Sequence, residues 1–225
     1  MKILALDTSS ETASLALYLG GESRHVALPS PPAHSATLLP ALQGLLAEAA
    51  CPLGALDVIA CGIGPGAFTG VRLACSVAQG LALAADLPVA PVCSLLALAQ
   101  ASEAESVYVA VDARMGEVYA AQYQRGAAGW RTLLAPFCVA PAQLPDLPDG
   151  DWVGVGSAFA AYADDCAGLR EKLLQVDTAA RPDARALAAL AVAQPWIDAA
   201  QLAPLYVRDR VAYTVAERLA AGGRA

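Results

Sequence analysis

The sequence predicts an α/β protein of two lobes made by duplication, the second lobe shortened, and three observations carry that prediction. Lys2-Ile3-Leu4-Ala5-Leu6-Asp7 is a run of hydrophobes closed by an aspartate and the polar turn Thr8-Ser9-Ser10. Ser106-Val107-Tyr108-Val109-Ala110-Val111-Asp112 repeats that pattern in the second half. Each run is followed by a further strand pattern, over 13–19 and over 117–123, so the repeated unit is strand, Asp, turn, strand. Between the copies, short apolar runs alternate with long apolar helical patterns, the order expected of a layered α/β sheet.

The elements follow in chain order. Residues 2–7 read as a buried strand and 13–19 as its neighbour, with Gly20-Gly21 closing a hairpin into a third strand over 23–28. The prolines of 29–32 break the pattern. A helix is predicted over 35–50, with Leu38, Leu42, Leu45, Leu46 and Ala49 on one stripe, and Pro40 either bends it or marks its true first turn. Residues 57–61 and 87–92 are short buried strands flanking a helix over 69–85. Ser94 is placed to cap a helix through Ala99. The first hundred residues thus read β-β-β-α-β-α-β-α.

The second half is less regular. Residues 130–139 read as a third strand with Arg131 and Thr132 facing water, and 140–150, rich in Pro and Asp, as a surface loop. Residues 151–156 form a short strand entering a glycine turn, with Ser157 as a helix cap. Arg181-Pro182-Asp183 introduces an alanine-rich helix through Ala193, stopped by Pro195, and 211–221 is a terminal helix expected to pack back on the first lobe. The predicted lobes are 1–102 and 103–210.

Composition narrows the function classes. The 225 residues are 57% hydrophobic and 16% charged, with mean hydropathy +0.48, far from a disordered chain. No uninterrupted run is long enough for a membrane span, and the first residues do not form a signal peptide, so a cytoplasmic protein is expected. The net charge of −7 argues against a broad nucleic-acid face. Cys51, Cys61, Cys75, Cys93, Cys138 and Cys166 include no C-x-x-C pair, and His25 and His34 are the only histidines, so no metal site is expected.

The most distinctive stretch is Cys61-Gly62-Ile63-Gly64-Pro65-Gly66-Ala67-Phe68-Thr69-Gly70-Val71-Arg72. It formally satisfies G-x-G-x-x-A after a strand. Pro65 removes a backbone donor, however, and no acidic residue closes the next strand, which argues against a dinucleotide site. No lysine follows, so a Walker loop is excluded.

Gly64-Pro65-Gly66-Ala67-Phe68-Thr69-Gly70-Val71-Arg72 resembles the G-P-G-S-F-T-G-L-R signature of the TsaB (YeaZ) family of tRNA threonylcarbamoyladenosine synthesis. Ala67 replaces the usual serine and Val71 the leucine. His34-Ser35-Ala36-Thr37-Leu38-Leu39-Pro40 is similar to the family's H-S/A-E-x-L-L-P, with Ala36 for glutamate. Residues 109–119 resemble I-D-A-R-R-G-E-V-Y, and Pro204-Leu205-Tyr206-Val207-Arg208 resembles P-x-Y-L-R. The resemblance implies a two-lobed actin-like ATPase (ASKHA, RNase H-like) fold, in agreement with the element order. It also implies a non-catalytic scaffold that pairs with TsaD, with TsaE and TsaC as further components and tRNA reached only through the complex. Alone, the same apolar surface would favour a homodimer. No cofactor is implied. The H-x-x-x-H metal motif of the catalytic paralogue TsaD is absent.

Two sets of residues follow as expectations. The helices over 35–50 and 69–85 are expected to present Leu38, Leu42, Leu45, Val71, Ala74, Cys75, Ala78 and Leu81 to TsaD, with Gly70, Ala74, Ala78 and Ala82 allowing close approach. Asp7, Thr8, Ser9, Gly64, Gly66 and Asp112 are expected to line a vestigial nucleotide cleft. The alternative is a small Mg-ATP-dependent kinase or acyltransferase in which Asp7 and Asp112 hold the metal. Against it, an aspartate at a turn ordinarily caps its own backbone, and Gly154-Val155-Gly156-Ser157 is a weak phosphate loop. Ser9, Ser10 and Ser157 do not lie in G-x-S-x-G, and neither histidine has an assignable acid partner.

Overall fold

A computed structural model describes residues 1–28 and 34–208. β1 (Lys2–Asp7), β2 (Ala13–Leu19) and β3 (Glu22–Leu28) make an antiparallel meander. β4 (Val58–Gly62) and β5 (Val89–Val92) add parallel strands on the other side of β1, giving the order β3-β2-β1-β4-β5. In the second sheet, β6 (Ser106–Arg114), β7 (Glu117–Gly126), β8 (Gly129–Val139), β9 (Val153–Val155) and β10 (Gln175–Asp177) repeat this as β8-β7-β6-β9-β10, with the same parallel and antiparallel pairings. The duplication expected from the strand-Asp-turn repeat is therefore present, and the fold is the two-lobed actin-like one. Asp7 and Asp112 stand near equivalent strand ends, Asp112 beside a register break.

The first sheet is covered on both faces, which is why β1 and β4 are continuous hydrophobic runs. Leu4 and Leu6 point to the core under α1 (His34–Glu48) and α2 (Phe68–Ala85), while Ile3 and Ala5 point to the opposite core. α3 (Ser94–Ala101) joins the lobes: Ala97 packs into the core of the first, and Leu95, Leu98 and Ala99 pack against Val107, Val109 and Val155 of the second.

The second lobe is shorter for a reason visible in its composition. Where α1 follows β3 in the first lobe, the segment after β8 carries Pro141, Pro145 and Pro148 and forms only a 3₁₀ turn over Pro141–Gln143. Between β9 and β10 stand α4 (Ala158–Ala161) and α5 (Ala167–Arg170), four residues each, in place of the 18 residues of α2.

Beyond β10 the chain returns to the first lobe. α6 (Ala184–Ala191) packs on β1, β2 and α3, and alanines at its inward positions let it lie close to the sheet. Ile197 bridges Val89, and Leu205 N–H donates to the Ile63 carbonyl at 2.8 Å. Residues of 184–205, expected with the second lobe, thus make these contacts with the first. The terminal helix predicted over 211–221 lies outside the described residues.

Two capping expectations need correction. Ser94 is the first residue of α3, and its hydroxyl donates to Asp7 Oδ2 at 2.7 Å instead of capping the helix. Ser157 precedes α4, but its hydroxyl accepts from the Asp112 amide at 3.0 Å. In both cases a strand-end aspartate captured the serine.

Candidate functional site

The turn between β4 and α2 is held from three sides. Gly64 N–H donates to Ser94 Oγ at 3.1 Å, and Ser94 N–H returns a bond to the Gly64 carbonyl at 2.8 Å. Ala67 N–H donates to the Ser9 carbonyl at 2.7 Å, and the Thr8 hydroxyl donates to the Gly70 carbonyl at 2.5 Å. A β-carbon at Gly70 would collide with the Thr8 carbonyl oxygen, and one at Gly62 with the Asp7 carboxylate. These glycines are present because two backbones and a carboxylate meet there.

Asp7 is 1% exposed. Its Oδ1 accepts from Ser9 N–H at 2.7 Å and from the Ser9 hydroxyl at 2.6 Å, while Oδ2 takes the Ser94 hydroxyl. Burial pushes its pKa up against these hydrogen bonds. This carboxylate closes a turn and ties β1 to α3. Thr8 and Gly64 are likewise buried, and the Thr8 hydroxyl and Ser9 amide that a phosphate would need are already engaged.

Asp112 is placed differently. It lines the cleft between the lobes, with Oδ1 accepting from Tyr162 OH at 2.9 Å and Arg114 N–H at 2.8 Å, and Oδ2 lying 3.4 Å from the Arg114 guanidinium. Of the six expected cleft residues, Ser9, Gly66 and Asp112 line this cavity, whereas Asp7, Thr8 and Gly64 lie behind its wall. The two aspartates therefore do not face a shared metal from an open cleft.

The cavity measures about 420 Å³ and is lined mainly by apolar groups, among them Val71, Leu95, Leu98 and Val111. A strap formed by the last described residues crosses its mouth. Leu205 is bonded to Ile63 in the first lobe. Arg208 pairs with Glu117 at 2.7 Å and donates to the carbonyls of Ala113 and Arg114 in the second. Tyr206 OH accepts from Arg72 Nε at 2.7 Å, and the Arg72 guanidinium stacks on Phe68 at 3.6 Å. Arg114 also reaches Glu11 across the cleft at 2.7 Å. The strap contacts were missed in the sequence, although Phe68, Arg72, Tyr206 and Arg208 all lie in segments that carried the resemblance.

The residues expected at a partner interface lie on the other side of their helices. Leu38, Leu42, Leu45, Val71, Ala74, Cys75 and Ala78 are buried in the core beneath α1 and α2, and Leu81 is partly buried against it. The physical reason is that the chain's own sheet is the close neighbour that the small-residue spacing admits. What remains outward is a second, largely uncharged face: Leu39, Pro40, Gln43, Gly44 and Ala47 on α1, and Ser76, Gly80, Leu83 and Ala84 on α2. The only Asp, Glu, Lys or Arg residues in the two helices are Glu48 and Arg72. Only 28% of α2 is buried despite a mean hydropathy of 1.3, long and apolar enough on those measures to cross a membrane. The signal was available in the sequence, because a helix that is apolar all round has two faces to cover.

One Ser-His-Asp grouping corrects the expectation that neither histidine has an acid neighbour. Ser14 Oγ lies 2.9 Å from His25 Nε2, and Asp183 Oδ1 is 3.9 Å from the same nitrogen. A hydrolytic triad needs the acid on the other ring nitrogen. Ser14 is also buried and accepts the Ala184 amide at 2.9 Å, so it anchors the start of α6. The six cysteines are free thiols, and among the described residues no group of three His, Cys, Asp or Glu is placed to hold a metal.

Comparison with known proteins adds independent findings. Residues 30–212 match the family model described as TsaD, tRNA N6-adenosine threonylcarbamoyltransferase. The tRNA threonylcarbamoyladenosine biosynthesis protein TsaB of Haemophilus influenzae is 36% identical over 230 residues, covering 95% of this chain and 96% of the relative. The Escherichia coli TsaB is 41% identical over 175 residues, 73% of this chain and 74% of the relative. Among solved structures, YeaZ from Pseudomonas aeruginosa superposes with a TM-score of 0.83 at 38% identity, covering 91% of this chain and 99% of that one. A second P. aeruginosa structure, described as similar to peptidase YeaZ, gives 0.85 at 37% identity, covering 92% and 99%.

Proposed function

The chain belongs to the TsaB (YeaZ) family, and on that premise we propose that it is the non-catalytic scaffold subunit of a tRNA threonylcarbamoyladenosine synthesis complex. It binds TsaD and supports transfer of the threonylcarbamoyl group to the adenosine next to the anticodon. TsaE and TsaC are the further components, and tRNA is held through the assembly. The observation that carries this reading is the outward face of α1 and α2, with Leu39 44% and Leu83 62% exposed and only Glu48 and Arg72 charged within the two helices. A chain that matches the TsaD family model over most of its length has helices suited to meet their counterparts in TsaD. A homodimer of the isolated chain would use the same face.

The absence of catalysis in this subunit has its own support. The sequence lacks H-x-x-x-H, Asp7 is enclosed, and the donors of the first turn are spent on the protein itself. The peptidase description of the structural relative finds no counterpart in the Ser14-His25-Asp183 geometry.

The test is reconstitution. Size-exclusion chromatography of this chain mixed with TsaD is expected to give a heterodimer, and formation of the modified adenosine by TsaD, TsaC and TsaE is expected to require it. Modification of tRNA by the isolated chain, or full activity without it, would overturn the reading.

A further inference from the structure

The interlobe cavity has a charge and lining that suit a ligand other than a nucleotide. About 420 Å³ lies within the size of ordinary small-molecule sites. Its floor, formed by Val71, Leu95, Leu98 and Val111, is apolar. Two carboxylates, Glu11 and Asp112, and three guanidiniums, Arg114, Arg181 and Arg208, line it. Glu11 and Asp112 are both paired with Arg114, and Arg208 is paired with Glu117.

Arg181 differs from the other two guanidiniums. Its Nη1 donates to the carbonyls of Thr178 and Ala180 at 3.2 and 2.8 Å, which fixes the guanidinium, and it has no carboxylate partner among the described residues. A held guanidinium beside an apolar floor matches the two ends of one kind of molecule. We propose that the interlobe cavity binds a small amphipathic monocarboxylate, its acid on Arg181 and its apolar body on the floor formed by α2, α3 and β6. A polyphosphate fits poorly, because the Thr8 hydroxyl and the Ser9 and Ala67 amides are already bonded within the protein. A neutral ligand would leave the Arg181 guanidinium without a charged partner. This inference does not rest on the pairing with TsaD.

The experiment is isothermal titration of the full chain with 1-naphthylacetate and with its neutral analogue 1-naphthylacetamide. At ordinary ligand efficiency about fourteen non-hydrogen atoms give a Kd of about 1 mM or tighter for the acid. The amide is expected to bind about 10-fold more weakly, the share of a charge-assisted hydrogen bond. Arg181→Gln should bring the acid down to the level of the amide while leaving amide binding unchanged, and Arg181→Lys should restore part of the difference. Val207→Trp, on the strap and lining the cavity, should block both ligands without lowering the thermal transition. Equal binding of acid and amide, an unaltered acid affinity in Arg181→Gln, retained binding in Val207→Trp, or no saturable heat from the acid would each overturn the assignment.

Discussion

Replacing Leu83 by glutamate separates the two faces of α2. Leu83 leaves 62% of its surface open. Full burial of a leucine contributes about 1.5–3 kcal/mol, so covering this open part with a partner is worth ~1–2 kcal/mol. A carboxylate at the same place adds a desolvation penalty of about 2 kcal/mol, because Arg72 is the only lysine or arginine in α1 and α2, and it already engages Tyr206. The sum of about 3–4 kcal/mol should weaken the proposed association with TsaD by roughly 100- to 1000-fold. The isolated variant should unfold within a few degrees of the parent, since exposed substitutions usually change stability by about 0.5 kcal/mol or less. Ala78→Glu is the contrasting variant. Ala78 is fully buried against the chain's own sheet, so a charge there should unfold the protein by itself. Sedimentation velocity with TsaD and thermal unfolding of each variant alone measure both effects. The reasoning fails if Leu83→Glu binds TsaD like the parent. It fails equally if Ala78→Glu stays folded and loses only association, which would return the contact to the inner stripe.

Other predictions test the site itself. Burial raises the Asp7 pKa, so its stabilising contribution is complete below the ordinary carboxylate value of 3.8 and is lost as pH rises through the higher folded value. Asp7→Asn should therefore gain stability relative to the parent between about pH 4 and neutrality, read from urea midpoints, and a gap that shrinks over that range would contradict the assignment. Gly70→Ala pushes a methyl group into the Thr8 carbonyl and should cost about 1–3 kcal/mol, lowering Tm by roughly 3–10 °C in calorimetry. Arg208→Gln removes the ion pair with Glu117 and should cost about 1–2 kcal/mol, with hydrogen exchange in residues 202–208 faster by about 10-fold; unchanged exchange would show that the strap is held elsewhere. Titration of the parent with Mg-ATP should give no tight binding, and binding weakened by Asp7→Ala would instead favour the kinase alternative.

Much of the architecture was legible because local patterns suffice to define it. Hydrophobic runs closed by Asp7 and Asp112, each followed by a turn and a second strand, identify a repeat without any knowledge of packing. Prolines at 141, 145 and 148 mark 140–150 as a loop, since each removes a backbone donor and three so close together leave no full helical turn free of one. The return of 184–205 to the first lobe was not legible. An alanine-rich helix carries no mark of which sheet it will cover, and that choice is made by contacts distant in sequence.

By itself the sequence determined the duplication, the order of elements and the presence of two apolar helices, because periodicity and turn chemistry are properties of neighbouring residues. Only the tertiary structure decided which stripe of α1 and α2 the chain keeps for its own core, that Asp7 lies behind the cleft wall while Asp112 lines the cleft, and that Arg181 has no carboxylate partner among the described residues. The physical reason is the same in each case. Burial and pairing depend on what stands opposite a side chain, and residues far apart in the chain supply those neighbours.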